Sequence, residues 1–150
     1  MKISIDQIKK LRSKTGISII ECKKAIEETK GDFEKALKIL RKKGAEIIEK
    51  KKERETKEGL IGIYLHQNGK IGAMVKVSCE SDFVAKNEEF QKLCHELAMQ
   101  VVAMNPKNIE ELLSQLYIKD IKKTIKDLIE EVVAKIGENI RVEEFSRLEI

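Results

Sequence analysis

Residues 60–79 constrain the fold of this 150-residue chain more than any other segment. Two stretches rich in β-branched and apolar residues, 60–66 and 71–79, flank the dipeptide Asn68-Gly69. Asn-Gly favours the positive φ angles of a type I′ turn, and its position between two such stretches is a strong hairpin signal. The sequence therefore predicts an antiparallel β-hairpin that turns at this dipeptide.

Both faces of the predicted hairpin are apolar. If Gln67 pairs with Lys70, one face carries Leu60, Tyr64, Ile71, Ala73, Val75 and Val77. The other face carries Ile61, Ile63, Leu65 and Met74. Because one layer of helices covers only one face of a sheet, we expect a second subunit or a partner protein to cover the other.

The first 44 residues predict three short helices, each with an N-cap candidate and a glycine stop. The caps are Ser4, Ser18 and Asp32, and the stops are Gly16, Gly31 and Gly44. Ser4 with Gln7 has capping-box spacing, in which the serine accepts from a backbone N–H and the longer side chain reaches back. The pattern predicts a compact three-helix domain over residues 1–44.

The rest of the chain predicts a linker and an α+β core. Residues 45–58 are mostly charged and predict a helical linker. After the hairpin, Asn87 can cap a long helix that Asn105-Pro106 ends. A second helix is predicted over 118–136, before Gly137, and a final strand over 140–148. Residues 59–150 therefore read β-β-α-α-β, which predicts an α+β fold with an antiparallel sheet.

Composition excludes several classes of protein. The chain has no apolar run near the roughly 20 residues that span a bilayer, and its N-terminus lacks the apolar stretch of a secretory signal. Its three cysteines, Cys22, Cys79 and Cys94, are an odd number without CxxC spacing. We therefore expect no disulfide framework and no zinc site, and we expect a cytoplasmic location.

Positive charge is concentrated at the front of the chain. Residues 1–58 hold 18 Lys and Arg against 11 Asp and Glu, whereas residues 59–150 hold 12 against 15. The basic part indicates an acidic partner: an acidic protein face, RNA or an anionic membrane surface. Aromatic residues make up only 4%, without Trp, so rings for stacking single-stranded bases are scarce. A protein partner is therefore preferred to nucleic acid, and no membrane partner is expected.

No catalytic signature is found in the sequence. The chain lacks the GxxxxGK[ST], GxGxxG, HExxH and GxSxG patterns of phosphate loops, dinucleotide folds, zinc peptidases and serine hydrolases. Cys94 and His95 are adjacent on a predicted helix, where neighbouring side chains point about 100° apart. We therefore expect no enzyme activity, no metal and no cofactor.

The segment 78–87, with the sequence SCESDFVAKN, connects the second strand to a well-capped helix. It places Phe83 directly after a Ser-Asp pair, which is unusual for such a connection. In a structural interpretation, Phe83 turns into the core and Asp82 caps a turn. In a functional interpretation, the segment is a protruding tip whose apolar residue inserts into a partner.

Residues 81–87, SDFVAKN, resemble the (T/S)DFVAxN signature of bacterial translation elongation factor Ts. The stretches LRSKTG (11–16), CKKA (22–25), GD (31–32) and LRKKG (40–44) are similar to that family's opening domain. EGLIG (58–62) and VAKIGENI (133–140) are similar to its other recurrent stretches, in the same order. The resemblance extends over nearly the whole chain and favours the functional interpretation of Asp82 and Phe83.

The resemblance implies a guanine nucleotide exchange factor that promotes GDP release from elongation factor Tu without covalent chemistry. The residues implied to disturb the Mg²⁺ and phosphate site of elongation factor Tu are Ser81, Asp82, Phe83 and Val84. The front bundle is implied to be ubiquitin-associated-like and to dock on the G domain of that partner. The docking candidates, which flank the Thr15-Gly16 turn, are Arg12, Ile19, Ile20 and Lys23.

The chain departs from the family pattern in three ways. Ser81 replaces the usual Thr, and Glu143-Glu144 stand where the last strand commonly carries basic residues. Long members of the family also carry a second core subdomain, whereas this chain has one. Because the hairpin has a second apolar face as well, we expect the free protein to be a homodimer.

Two other functions are compatible with the residues. A basic adaptor that binds RNA or the ribosome through the front half would lose affinity steeply with salt, whichever nucleotide is bound. A ubiquitin-associated-like interaction module without exchange activity would keep its binding after loss of the tip. An exchange factor would bind nucleotide-free elongation factor Tu tightly and lose affinity as GDP rises.

Overall fold

A computed structural model describes residues 3–150, apart from the side chains of Ile47, Ile48 and Lys51. The elements are α1 (Ile5–Thr15), α2 (Ile19–Glu28), α3 (Phe33–Lys51), β1 (Glu58–Leu65), β2 (Ile71–Cys79), α4 (Asp82–Ala85), α5 (Glu88–Met104), α6 (Ile109–Ser114), β3 (Leu116–Tyr117), β4 (Asp120–Thr124), α7 (Ile125–Ile136) and β5 (Ile140–Glu149). This order and the antiparallel sheet confirm the predicted α+β class. Among the described helices, none is long and apolar enough to cross a membrane.

The N-terminal helices begin at the predicted caps. The side chains of Ser4, Ser18 and Asp32 each accept a hydrogen bond from a backbone N–H of the helix that follows. The Gln7 amide does not complete a capping box, because it donates to the Gly31 carbonyl at 3.2 Å. The predicted capping box at Ser4 is therefore wrong, and Gln7 instead ties α1 to the turn after α2.

Helix α3 runs through Gly44, where the sequence predicted its end. A Cβ at Gly44 would lie 2.8 Å from the Glu130 carbonyl oxygen and 3.3 Å from the Ala134 Cβ, both on α7. The glycine therefore permits the close approach of two helices, and the prediction that it ends the helix is wrong. An ion pair between Arg41 and Glu131 (3.3 Å) lies at the same contact. The division of the chain at residues 44 and 58 into separate domains remains a prediction.

The hairpin of β1 and β2 has the expected register, with Leu65 opposite Gly72. β5 pairs with β2 in the antiparallel sense, so the sheet order is β1-β2-β5. Both predicted faces are confirmed, because one packs against α5 and the other is exposed. The predicted type I′ turn is wrong: Gly69 has a φ of 69°, but Asn68 is not among the described residues with positive φ. The Gly69 N–H donates to the His66 carbonyl (2.8 Å) and closes a different turn in the same register.

The helical layer covers the inner face of the sheet. α5 begins after Asn87 and ends before Asn105, as predicted, and its apolar stripe joins the main core. The helix predicted over 118–136 is shorter, since the β3–β4 hairpin precedes it and α7 begins only after Thr124. Thr124 and Asp127 form a capping box. This box starts α7 at Ile125, although the apolar periodicity begins earlier, at Ile118. α6 was not predicted.

β1 lies directly against α5 at Gly62. A Cβ there would lie 2.1 Å from the Cys94 carbonyl oxygen, so even alanine forces the strand and helix apart. We expect Gly62→Ala to lower the free energy of unfolding by about 1–3 kcal/mol, the usual cost of overpacking a core. Gly72→Ala is the matched control, because its Cβ would meet the flexible Leu65 side chain at 3.2 Å. Urea unfolding measures both variants, and equal losses would contradict this packing.

Candidate partner-binding site

The segment after β2 forms one short helical turn, α4, between two caps. The Ser81 hydroxyl oxygen accepts from the Val84 N–H at 3.3 Å and so caps α4. Asn87 then caps α5 through the Glu89 N–H at 2.8 Å. Residues that favour N-caps stand six positions apart here, so the chain makes a single turn between them. We call Ser81, Asp82, Phe83 and Val84 the tip.

Phe83 is the exposed apolar residue of the tip. It is 91% exposed, whereas Val84 is 8% exposed and packs into the main core with Ala85. The interpretation of Phe83 as a core residue is therefore wrong. Asp82 forms an ion pair with Lys86 at 2.7 Å, and this hydrogen bond raises the pKa of Lys86. The tip thus presents a ring and a paired carboxylate to solvent on an anchored turn.

Two glutamates join the base of the tip to the turn after α7. The Glu138 carboxylate accepts from the N–H groups of Glu80 (3.2 Å) and Ser81 (3.0 Å) and from the Ser81 hydroxyl (2.6 Å). In return, the Glu80 carboxylate accepts from the Asn139 N–H at 3.0 Å. Arg54 joins them, because its guanidinium donates to Glu80 and its carbonyl accepts from the Asn139 amide, both at 3.4 Å. We call these five residues the clasp.

The thiols near the tip are buried and protonated at neutral pH. Burial, followed by the charge of Glu138, raises the pKa of Cys79 to about 11. Burial likewise raises the pKa of Cys94 to about 12. A reactive cysteine needs a lowered pKa and access to solvent, so neither thiol is suited to nucleophilic chemistry. Within residues 3–150, no group of three His, Cys, Asp or Glu side chains is arranged to hold a metal ion.

The predicted docking candidates lie around the turn between α1 and α2. Arg12 is in the last turn of α1, and Ile19, Ile20 and Lys23 are in the first turns of α2. All four residues are exposed. Because α1 ends where α2 begins, the structure brings them to one end of the bundle, on elements other than those that carry the tip.

The second apolar surface is the outward side of the three-stranded sheet, which we call the outer sheet face. Its exposed apolar residues are Ile61, Ile63, Leu65, Met74, Leu148 and Ile150. A depression of about 620 Å³ lies along the half of this face that holds Leu65 and Leu148. At the other end, Lys76 is paired in register with Glu144. Sequence reasoning found the hairpin residues of this face but missed Leu148 and Ile150, because the register of β5 is set by long-range pairing.

Known proteins match the chain, and full-length relatives match it from end to end. A family model described as "Elongation factor TS" matches residues 80–150, a range that contains the tip and every clasp residue except Arg54. Proteins named elongation factor Ts align with 100% of the chain: that of Thermotoga neapolitana is 42% identical over 98% of its own length, and that of Thermotoga maritima is 45% identical over 97%. The chain belongs to the elongation factor Ts family. The resemblance seen in residues 81–87 is thereby confirmed.

Relatives in the elongation factor Ts family are longer than this chain. The alignments with both Thermotoga proteins extend over 193 positions, whereas the chain has 150 residues, so these relatives carry positions without a counterpart here. The protein of Herpetosiphon aurantiacus, also named elongation factor Ts, is 39% identical over 98% of its length and 100% of the chain.

The sequence located the tip of this elongation factor Ts family member but not the clasp beneath it. Glu138 lies 58 and 57 positions from its partners Glu80 and Ser81. Contacts between residues so far apart in sequence produce no local pattern from which they could be predicted. A signal was present in the stretch VAKIGENI (133–140), which resembles the family and contains Glu138 directly after the helix-ending Gly137.

Proposed function

We propose that the chain is a guanine nucleotide exchange factor that promotes GDP release from elongation factor Tu. The observation that carries the proposal is the exposed Phe83 ring beside Asp82, held on an anchored turn in a member of the elongation factor Ts family. An aromatic side chain that enters a well-packed site of a partner is a frequent centre of binding energy. In this function, the tip disturbs the Mg²⁺ and phosphate site of elongation factor Tu, and no covalent bond is made.

Reciprocal binding explains how such a tip releases GDP. GTPases hold the phosphates with backbone N–H groups and a Mg²⁺ ion. An exchange protein that binds best when these groups are displaced lowers the affinity of the GTPase for GDP. By linkage, GDP lowers the affinity for the exchange protein to the same extent. Burial of Phe83 supplies roughly 1.5–3 kcal/mol, or about 10- to 150-fold. Larger effects therefore require the tip and a docking surface to act together.

Equilibrium binding tests the proposed function against its competitors. The affinity of the chain for nucleotide-free elongation factor Tu is expected to fall as GDP is added. A basic adaptor that binds RNA or the ribosome would respond to salt and ignore GDP. A ubiquitin-associated-like module without exchange activity would bind elongation factor Tu equally well at every GDP concentration. An affinity independent of GDP would therefore refute exchange.

We further propose that the exposed end of the front bundle, with Arg12, Ile19, Ile20 and Lys23, docks on the G domain of elongation factor Tu. Two neighbouring exposed isoleucines beside two cations suit a partner surface with an apolar centre and acidic rim. Ile20→Asp is expected to weaken binding about 10-fold, because it places an unpaired carboxylate in the contact. The maximal rate of GDP release should stay unchanged, since the tip is intact.

The matched control for Ile20→Asp is Ile5→Asp, a similarly exposed isoleucine at the start of α1, outside the docking candidates. Isothermal titration with nucleotide-free elongation factor Tu measures both variants. Equal losses in the two variants, or no loss in either, would show that the docking surface lies elsewhere.

We also propose that two copies of the chain pair through the outer sheet face. Six exposed apolar residues on one face are costly to leave in water. Two charged side chains of this face, Lys76 and Glu144, are opposite each other in register and offset each other. A largely apolar face suits a second copy, since each copy carries a net charge of +4 and two basic faces would repel. A two-fold axis buries both faces at once.

A further inference from the structure

We infer that Glu138 is a positioning residue that holds the tip in the orientation needed for insertion into elongation factor Tu. The inference rests on the proposed function and adds a residue that does not touch the partner. The helix of the tip, α4, has only four residues, too few to keep its direction by its own hydrogen bonds. Contacts from outside α4 must therefore set the direction of Phe83.

The Ser81 hydroxyl connects Glu138 to the helix that carries Phe83. It donates to the Glu138 carboxylate at 2.6 Å and accepts from the Val84 N–H at 3.3 Å. A short O–H···O⁻ bond to a carboxylate is among the stronger hydrogen bonds in proteins. Because Glu138 fixes the Ser81 side chain, it also fixes the cap of α4.

The remaining hydrogen bonds of the clasp attach the start of α4 to two segments that are distant in sequence, residues 138–139 and Arg54. Glu138 also accepts the Glu80 and Ser81 N–H groups, and Glu80 returns one bond to the Asn139 N–H. Arg54, at 3.4 Å from Glu80, offsets the repulsion between the two carboxylates. Without Glu138, two part-buried N–H groups would lose their acceptors. Because unsatisfied N–H groups cost free energy, we expect the start of α4 to shift. We therefore expect Phe83 to remain exposed but to occupy several orientations.

The first test compares Glu138→Ala with Glu110→Ala in stimulated GDP release from elongation factor Tu. Glu110 is exposed on α6 and makes no ion pair among the described side chains. Glu138→Ala is expected to lower the maximal rate about 10-fold, because small misplacements of a reacting group have effects of this size or larger. The half-saturating concentration should change less than about 3-fold, since the docking surface is untouched. An unchanged maximal rate would overturn the inference.

Conservative changes at Ser81 test the connection itself. Ser81→Ala removes the hydroxyl and is expected to lower the maximal rate about 3-fold, whereas Ser81→Thr keeps the hydroxyl and should lower the rate less than Ser81→Ala does. In a Phe83→Ala background, Glu138→Ala should cause no further loss, because it acts only through the tip. A further 10-fold loss in that background would indicate a general structural role and would overturn the inference.

Hydrogen exchange in the free protein tests the clasp without elongation factor Tu. The Ser81 and Val84 amides should exchange at least ~10-fold faster in Glu138→Ala, while the core amides of Val75 and Leu97 keep their rates. If the core amides also accelerate, Ser81→Ala replaces Glu138→Ala as the deciding variant. If the Ser81 and Val84 amides exchange at wild-type rates in Glu138→Ala, the positioning role is refuted even if the wild-type chain releases GDP. Lost protection with no GDP release by the wild type refutes the proposed function and, with it, the positioning role.

Discussion

Phe83→Ala is expected to slow stimulated GDP release from elongation factor Tu by at least ~10-fold, the scale of losing one aromatic anchor at an interface. Phe83 is exposed in the free protein, so its removal takes no contact from the core. The melting temperature should therefore stay close to that of the wild type. The release rate of a fluorescent GDP analogue and thermal unfolding measure the two quantities on the same samples.

The matched control for Phe83→Ala is Ile121→Ala. Ile121 is also strongly exposed, but it lies on β4 in the separate two-stranded sheet. Its loss should leave both release and melting unchanged. A stable Phe83→Ala variant that releases GDP at the wild-type stimulated rate would show that the tip does not act through Phe83. A variant that melts much lower with exchange intact would make Phe83 a structural residue.

Met74→Lys is expected to convert a homodimer into a monomer. Met74 is on the central strand of the outer sheet face, between Ile63 and Ser146 in the register. A lysine there would bring like charges of two copies into an apolar contact, which costs several kcal/mol if both remain charged. Sedimentation equilibrium at micromolar concentration should change from twice 17.2 kDa to 17.2 kDa.

Two comparisons make the dimer result specific to the outer sheet face. Met74→Leu keeps the face apolar and should remain dimeric. Ile121→Lys adds the same charge to an exposed apolar position outside the face and should also remain dimeric. A wild-type mass of 17.2 kDa would refute the pairing outright, whatever the variants do.

The features that the sequence predicted correctly have local causes. Ser18, Asp32 and Asn87 cap their helices because short polar side chains accept from N–H groups a few positions away. The alternation of β1 and β2 fixed both faces of the hairpin, even though the turn between them has a different type. A register with one buried face is strongly specified, so it tolerates an error in the turn.

The misplaced end of α3 and the missed clasp both depend on contacts between distant segments. Gly44 resembles a helix stop, but it lies inside α3 because α7 packs against it. The clasp belongs to the same group, since Glu138 reaches its partners only after the fold has formed. The start of α7 has a local cause instead, because the capping box of Thr124 begins the helix after Ile118 and Ile121, which continue its apolar spacing. The family signature indicated which tip residues to examine, and the long-range contacts show what holds them.

The release rate of a fluorescent GDP analogue from elongation factor Tu, with and without the wild-type chain, tests the central claim most directly. Exchange predicts that release accelerates at least ~10-fold, rises with the concentration of the chain and reaches a plateau. Salt sufficient to dissociate phosphate-driven complexes should not abolish the plateau. A release rate that stays the same at saturating concentrations of a chain that binds elongation factor Tu would contradict the account.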